Sequence, residues 1–289
     1  MVTTSYRIFQ KDVWDPRIDA YFKMALVAAP HFYDVSSLVV PGALTVRIPK
    51  IGDNFSATAV GSTTGAITNT AVTDTATTVT LDRWLAAKIR FTDFELATIS
   101  KSYNLRDEYA KALAQKVAQQ ADKELLALIK SVSRSVNDTT TALGSADLES
   151  ALAIAESYYC PREQLTWFFT PKCFWGELMA VQKYYDASQF GKTVTPEGTL
   201  YTLYGIPVVI SNNLPVYTAA STKKVGFLGT PNTAAFAFAP LEGGTQGGIR
   251  LTEIPKSGGA LITDVITDIA FGVKIMNAYH GVMIYSTGM

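Results

Sequence analysis

Hydrophobic residues recur every three or four positions between residues 104 and 130, the spacing that places them on one helix face. This apolar stripe consists of Leu105, Tyr109, Leu113, Val117, Ala121, Leu125 and Leu128. Asn104 can cap the start, and Asp107 and Glu108 lie in the first turn, where carboxylates complement the helix dipole. At a rise of about 1.5 Å per residue, the helix spans about 40 Å. The pattern predicts one long helix that acts as a beam.

Nearer the N-terminus, apolar and polar residues alternate with the two-residue period of a strand. Leu44, Val46 and Ile48 are predicted to face one way, with polar residues between them. Strand character returns after position 74 and continues through a second, longer alternating stretch. We expect these segments to pair as one long two-stranded hairpin over residues 44–91.

The far end of this hairpin has an unusual composition. Residues 55–73, FSATAVGSTTGAITNTAVT, contain no charged residue and consist largely of Thr, Ala, Ser and Gly. An isolated two-stranded ribbon is marginally stable in water. We therefore expect the hairpin to lie across a neighbouring subunit; the alternative is a disordered polar loop.

Two shorter helices are predicted from capping residues and apolar stripes. Asp15 can cap the first, and Pro16 suits its first turn. Ser145 can cap the second. Their stripes are Ile18, Phe22, Ala25 and Leu26 in the first helix, and Leu148, Leu152, Ala155 and Tyr159 in the second.

The later part of the chain reads as strands with one more helix. Residues 165–169, LTWFF, form a continuous apolar run that predicts a fully buried strand. Pro171 is suited to open a helix directly after it. The β-rich residues 259–286 predict long strands at the C-terminus.

Two segments bear a superficial likeness to phosphate-binding loops. Residues 185–193, YDASQFGKT, end as a P-loop does, but Asp186 occupies the position of the first glycine, and its carboxylate would face the phosphates. The preceding residues have helical spacing, and the following ones contain Pro196 and Gly198, which indicate a turn. The glycine-rich run at 243–248 has no lysine after it. We interpret the first as a surface loop and the second as a flexible loop.

The charge composition points to contacts with other protein rather than with nucleic acid or membrane. The 289 residues are 48% hydrophobic and only 17% charged. Lys plus Arg and Asp plus Glu each number 25, so no net field attracts a polyanion or an anionic membrane. No signal-peptide core and no run of eighteen apolar residues is present. We expect a soluble protein made in a cytoplasm.

Candidate catalytic chemistry is sparse. The two histidines, His31 and His280, lie near opposite ends of the chain, and we interpret each as structural. Cys160 and Cys173 have no metal-ligand company and are expected to be buried small apolar residues. No GxSxG, HExxH or CxxC motif occurs. We therefore expect no enzymatic activity, no cofactor and no metal.

The order of these parts resembles that of the major capsid proteins of tailed double-stranded-DNA bacteriophages, which have the Hong Kong 97-like fold. The hairpin resembles the extended E-loop of that family, and residues 93–129 resemble its spine helix and the approach to it. The run Gly198–Pro215, GTLYTLYGIPVVISNNLP, is similar to a phrase found in many of these coats. Residues 271–284, FGVKIMNAYHGVMI, resemble the strands that return to the peripheral domain.

The resemblance implies an α+β fold in four parts. These are an N-terminal arm (1–42), an E-loop hairpin (43–92), a peripheral domain with the spine helix (93–136 and 266–289) and an axial domain (137–265). It also implies three groups of functional residues. They are E-loop residues that contact the next subunit (Phe55, Ile67, Val72), residues that anchor the hairpin root against the spine helix (Trp84, Phe91) and an axial-domain loop near the capsomer centre (Asp186, Gln189, Lys192).

The function implied by the resemblance is that of a major capsid protein in the virion, synthesised in the host cytoplasm. Hexamers and pentamers would tile an icosahedral head and enclose double-stranded DNA without reading its sequence. Expected partners are a portal, possible cement or decoration proteins and a separate scaffolding protein, since the chain begins almost directly with the arm. Two alternatives are the shell of an encapsulin-like nanocompartment and a Thr-rich surface adhesin or fibre module.

Some members of this family join neighbouring subunits covalently, through a lysine of the E-loop and an asparagine of the next subunit. No lysine lies between Lys50 and Lys88 in this chain. Arg83 cannot replace it, because a guanidinium stays protonated. We therefore expect a shell without such isopeptide bonds.

Overall fold

The computed structural model describes residues 27–40, 42–51, 74–92, 94–95, 105–137, 141–178, 202–216, 224–240, 249–255 and 261–286. Several predictions fall on residues outside these ranges. They concern the helix from Asp15, the cap at Asn104, the E-loop residues Phe55, Ile67 and Val72, the axial-loop residues Asp186, Gln189 and Lys192, and the glycine-rich run at 243–248.

Three α-helices lie in the described part of the chain: α1 (Leu105–Ala127), α2 (Ser145–Ser157) and α3 (Pro171–Gly176). The predicted long helix is confirmed as α1, and a 3₁₀ turn at Leu128–Ser131 extends it. Within the predicted stripe, Val117, Ala121 and Leu125 are buried. Further 3₁₀ turns occur at Ala29–His31, Ser36–Leu38, Arg162–Gln164 and Pro231–Thr233.

The first sheet is built around one long strand. Its strands in the described residues are β1 (Tyr33–Asp34), β4 (Arg83–Thr92), β10 (Ala234–Phe238), β11 (Ile249–Pro255) and β12 (Ile262–Ile275). Strand β12 pairs with β4 along one edge, and with β11 and then β10 along the other. Helix α1 covers one face of this sheet, where Val117 and Ala121 pack against Ile269 and Phe271.

A hairpin covers part of the opposite face. It consists of β2 (Thr45–Lys50) and β3 (Thr75–Thr80), paired antiparallel. Val46 and Val79 pack on Ala235 and Ala237 of β10. Where the chain leaves the hairpin it crosses Gly272 so closely that a Cβ there would lie 2.1 Å from the carbonyl oxygen of Thr80.

The expectation of a single two-stranded hairpin over residues 44–91 is wrong for its last part. The returning segment is broken at Leu81–Asp82, and the ten residues of β4 pair with β12 instead of continuing alongside β2. Pairing with β12 brings Leu85 and Ala87 against the core under α1. Burial of apolar side chains favours this over extension of a solvated ribbon.

The second sheet stands beyond the C-terminal end of α1. Its strands are β5 (Ser135–Val136), β6 (Thr166–Phe169), β7 (Thr202–Leu203), β8 (Ile206–Ile210), β9 (Gly226–Gly229) and β13 (Gly281–Ile284). The prediction of a fully buried strand at β6 is confirmed. Both faces of β6 are covered: Trp167 and Phe169 belong to the core with α2, and Phe168 belongs to the core with the end of α1.

The ends of α2 and the start of α3 differ in how well they match the predictions. Pro171 does open α3, and Thr170 caps it by accepting from the N–H of Cys173. Helix α2 begins at Ser145 rather than after it, so Gly144 is the cap residue, and the Ser145 expectation is wrong. Tyr159 lies past the end of α2 with φ +56 and is 93% exposed, so it does not belong to the stripe.

Candidate functional site

The face of the first sheet opposite α1 carries a ladder of charged side chains. The carboxylate of Asp264 on β12 accepts hydrogen bonds from Arg90 at 2.8 and 3.2 Å and lies 2.6 Å from the Lys88 ammonium. Four residues on, Asp268 accepts from Arg250 at 3.0 and 2.5 Å. The carboxylates are almost fully buried, at 1% and 3% exposure, under the cations that bind them.

The Arg250 guanidinium, by its hydrogen bonds, holds the pKa of Asp268 below its usual range. Every buried carboxylate oxygen has a donor, so removal of one partner would leave an uncompensated buried charge and destabilise the sheet. Lys88 and Arg90 lie on β4, and Arg250 lies on β11. The side chains of the ladder therefore link both flanking strands to β12. Sequence reasoning missed it. The signal was the repeat ITDVITDI at 262–269, which places two aspartates four residues apart on one face of the strand.

Trp84 belongs to this charged face, so the expectation that it packs against the spine helix is wrong. It pairs with Ala270, its indole N–H donates to Asp268 at 2.9 Å, and it is 68% exposed. Its neighbour Leu85 occupies the helix side. Since side chains alternate along a strand, residues 84 and 91 must face opposite ways in one continuous strand.

Phe91, unlike Trp84, packs against α1 as predicted. Its side chain is 2% exposed, and its ring lies 5.6 Å from that of Tyr109 on α1. The contact joins the end of β4 to the first part of the long helix. Phe91 therefore packs against the spine helix, whereas Trp84 does not.

Large apolar side chains are exposed at many places on the described surface. They include Leu38, Val40, Leu44, Ile51, Trp84, Phe94, Trp175 and Leu261. Leu44 and Ile51 directly flank β2 of the hairpin. Leu261 and Phe94 flank the register pair of Ile262 and Thr92 at the far end of the first sheet. Exposed apolar side chains scattered singly are common on protein surfaces, so these positions do not by themselves locate an interface.

The cysteines and histidines do not form a reactive centre in the described part of the chain. Both cysteines are free and buried, as expected. Burial raises the pKa of the Cys173 thiol, so it stays protonated and unreactive. Burial also lowers the pKa values of the His31 and His280 imidazoles. His31 packs edge-on against the Phe168 ring.

The described residues contain neither a cluster of metal ligands nor a membrane-spanning helix. No group of three or more His, Cys, Asp or Glu side chains in them converges as metal ligands would. Among the described helices, none has the length and apolar character needed to cross a membrane.

Comparison with known proteins identifies the family. The model of a family described as phage capsid protein matches residues 73–284, which is most of the chain. The chain belongs to this family. It is a capsid shell protein, and its place is the virion capsid. Among curated protein sequences, none matches the chain.

Solved structures show the same fold despite low sequence identity. A structure from Mycobacterium phage Che8 is 16% identical with a TM-score of 0.70, covering 97% of this chain and 98% of that one. The capsid structure of the cyanophage P-SCSP1u is 15% identical with a TM-score of 0.72, covering 100% and 96%. The holo-SrpI encapsulin complex from Synechococcus elongatus is 12% identical with a TM-score of 0.64, covering 99% and 95%. The predicted α+β, Hong Kong 97-like fold is confirmed.

Proposed function

We propose that this capsid protein assembles as hexamers and pentamers into an icosahedral phage head that encloses double-stranded DNA. The observation that carries the proposal is the family match over residues 73–284, joined to structural similarity over nearly the whole length of phage capsid chains. The charge composition agrees with it, since a chain with 17% charged residues is suited to burying surface against copies of itself.

The hairpin is the part of the subunit we assign to contacts between copies. Its strands pack on the first sheet through Val46 and Val79 and end at the paired residues Lys50 and Thr75. The chain between Lys50 and Thr75 therefore starts and ends at neighbouring positions on the subunit. We propose that Phe55, Ile67 and Val72 in this segment contact a neighbouring subunit.

The remaining partners follow from the same proposal. The loop with Asp186, Gln189 and Lys192 lies near the capsomer centre. DNA is contacted without sequence recognition, and the balanced charge of the chain provides no net field to hold it tightly. A portal, a separate scaffolding protein and a cement protein complete the head. The protein is synthesised in the host cytoplasm and has neither enzymatic activity nor a membrane-bound stage.

Electron microscopy of the purified protein tests the proposal. Expressed with its scaffolding protein, the chain should form closed icosahedral particles of uniform size. Expression alone is the control and should yield irregular or no particles. Absence of closed particles under both conditions would contradict the assignment. Uniform, correctly sized shells from the chain alone would contradict the need for scaffolding.

The nanocompartment alternative is favoured by one observation, the similarity to the encapsulin from Synechococcus elongatus. A shell of that kind encloses protein, whereas a phage head encloses DNA. Nuclease-protected nucleic acid inside particles isolated from their natural source supports the phage head. A single enclosed protein with no protected DNA would favour the nanocompartment instead.

The assignment of the hairpin segment has its own test. Phe55→Asp or Ile67→Asp should leave the subunit folded but block closure of the shell, because the new carboxylate is desolvated against a neighbour without a partner. Circular dichroism checks the fold, and electron microscopy checks closure. Thr63→Asp, in the same uncharged segment, distinguishes an effect of charge anywhere in the loop from loss of an apolar contact. Normal particles from both apolar-site variants would exclude Phe55 and Ile67 from the interface.

A further inference from the structure

Helix α1 carries a buried carboxylate in the middle of its apolar face. Asp122 is 1% exposed and lies between Ala121 and Leu125, which are buried as well. Burial raises the pKa of the Asp122 carboxyl, against the effect of its hydrogen-bond donors. A carboxylate in such a position is tolerated when hydrogen bonds replace the lost water.

The donors to Asp122 come from two distant parts of the chain. Its Oδ1 accepts a hydrogen bond from the backbone N–H of Ala28 at 2.9 Å. The backbone N–H groups of Val27 and Ala29 also favour the ionised carboxylate and so lower its pKa. Its Oδ2 accepts from the side-chain amide of Asn213 at 3.1 Å. The backbone N–H of Asn213 in turn donates to the Ser211 hydroxyl at 3.1 Å.

The donor of the hydrogen bond to Oδ1, the N–H of Ala28, belongs to the cap residue of the 3₁₀ turn at Ala29–His31. The first N–H groups of a helical turn have no partner within the turn, and a side-chain oxygen normally supplies one. Ala28, the cap residue, has no side-chain oxygen to do so. Asp122 therefore caps this turn from a helix 94 residues away.

The residues after the turn are held by a separate, apolar contact. Phe32 is buried, and its ring lies 5.8 Å from Phe168 and 6.2 Å from Phe227 of the second sheet. Two contacts thus secure this segment. Phe32 places the turn against the core, and Asp122 orients the peptide groups of residues 27–29.

We propose that Asp122 is the positioning residue of the N-terminal arm. By orienting the peptides of residues 27–29, it sets the direction of the arm at the point where its described part, residues 27–40, begins. This inference rests on the proposed function, because in a shell that direction determines which neighbour the arm meets. Loss of Asp122 frees the peptides of residues 27–29 without releasing Phe32.

Hydrogen–deuterium exchange of the unassembled subunit tests the contact. In Asp122→Ala, amides in a peptide spanning residues 27–32 should exchange about tenfold to a hundredfold faster, the range expected for loss of a hydrogen bond to a charged acceptor. Amides of the buried strand β6 should keep their wild-type rate. Asp122→Asn retains the side-chain volume and one acceptor oxygen, so it should fold and show a smaller acceleration.

Asp147→Ala is the matched control. Asp147 also accepts a backbone N–H, that of Gly144 at 2.9 Å, but at the start of α2. Its loss should speed exchange near residue 144 and leave residues 27–32 unchanged. Wild-type exchange at 27–32 in both Asp122 variants would overturn the proposal, as would equal acceleration in the Asp147 variant.

Assembly supplies the second readout. Folded Asp122→Ala subunits with a faster-exchanging arm should give fewer uniform closed shells than wild type when expressed with scaffolding protein. Uniform shells at wild-type yield would show that arm direction does not matter. If the wild-type chain itself forms no shells, the proposed function fails, whereas the exchange experiment still decides whether Asp122 holds the arm.

Discussion

At the scale of single residues, Gly272 allows the hairpin to cross the first sheet. A side chain there would lie 2.1 Å from the Thr80 carbonyl oxygen and 3.2 Å from Leu81 Cα, and both are backbone atoms that cannot rotate away. Gly272→Ala should therefore shift the hairpin and reduce the free energy of unfolding by about 1–3 kcal/mol. Urea denaturation measures this. Gly176→Ala is the control, because a Cβ at Gly176 meets nothing within 4 Å; equal stability of both variants would contradict the close crossing.

The lowered pKa of Asp268, in the charged ladder, predicts how the stability of the fold depends on pH. Because the pKa of Asp268 is lowered in the folded protein, its ionised form contributes stability above its ordinary pKa of about 4, and this contribution is lost as the pH falls through the folded pKa. Asp268→Asn should cost about 1–3 kcal/mol at pH 7, and the difference from wild type should shrink in acid. Denaturation midpoints between pH 7 and pH 3 test this.

The control for the ladder is Asp82→Asn. Asp82 is exposed and lies 3.9 Å from Arg83, the distance of a weak surface ion pair. Its replacement should change stability little at any pH. A difference between Asp268→Asn and wild type that stays constant down to pH 3 would show that the Asp268 carboxylate contributes through packing rather than charge.

At the scale of elements, strand β4 packs against α1 through one of its two faces only. Phe91→Ala removes a buried ring in contact with Tyr109 and should reduce the free energy of unfolding by about 3–5 kcal/mol. Trp84→Ala removes an exposed ring and one hydrogen bond to Asp268, so it should cost about 1 kcal/mol and leave the subunit soluble. Urea denaturation of both variants compares them. A Trp84→Ala loss as large as that of Phe91→Ala would place the indole in a core.

At the scale of the whole molecule, the assembled shell should hold together without covalent bonds between subunits. Lys50 and Lys88 are the lysines nearest the hairpin segment, and the ammonium of Lys88 lies 2.6 Å from the buried carboxylate of Asp264. An ion-paired ammonium is a poor nucleophile, because the amine must lose its proton to react. Cys160 and Cys173 are buried inside the subunit and are not placed to join copies.

Mature particles boiled in detergent with reductant should therefore run as a single band of about 31 kDa. Gel electrophoresis of particles before and after maturation provides the comparison. A ladder of multimers that survives this treatment would show that a lysine outside the hairpin segment reaches a neighbour. Its loss in Lys50→Arg or Lys88→Arg particles would identify which one.

The sequence by itself determined those elements whose buried residues follow a recognisable hydrophobic pattern. The stripe through Val117, Ala121 and Leu125 predicts α1, and the apolar run at β6 predicts a strand covered on both faces. Pro171 marks the start of α3. These features depend on neighbours a few residues away, so local pattern suffices to predict them. The order of elements also indicated the capsid family, although the expected E-loop and axial-loop contacts remain predictions.

Only the tertiary structure decided which segments meet. Strand β4 pairs with β12, about 180 residues later, and this pairing puts Trp84 on the charged face. Asp122 caps the turn after residue 28 across 94 positions. In the sequence, Trp84 reads as a core aromatic, and no local pattern marks Asp122 as buried. Hydrophobic periodicity specifies which face of an element is buried but not what covers it, because the covering partner is selected by packing and hydrogen bonding over the whole chain.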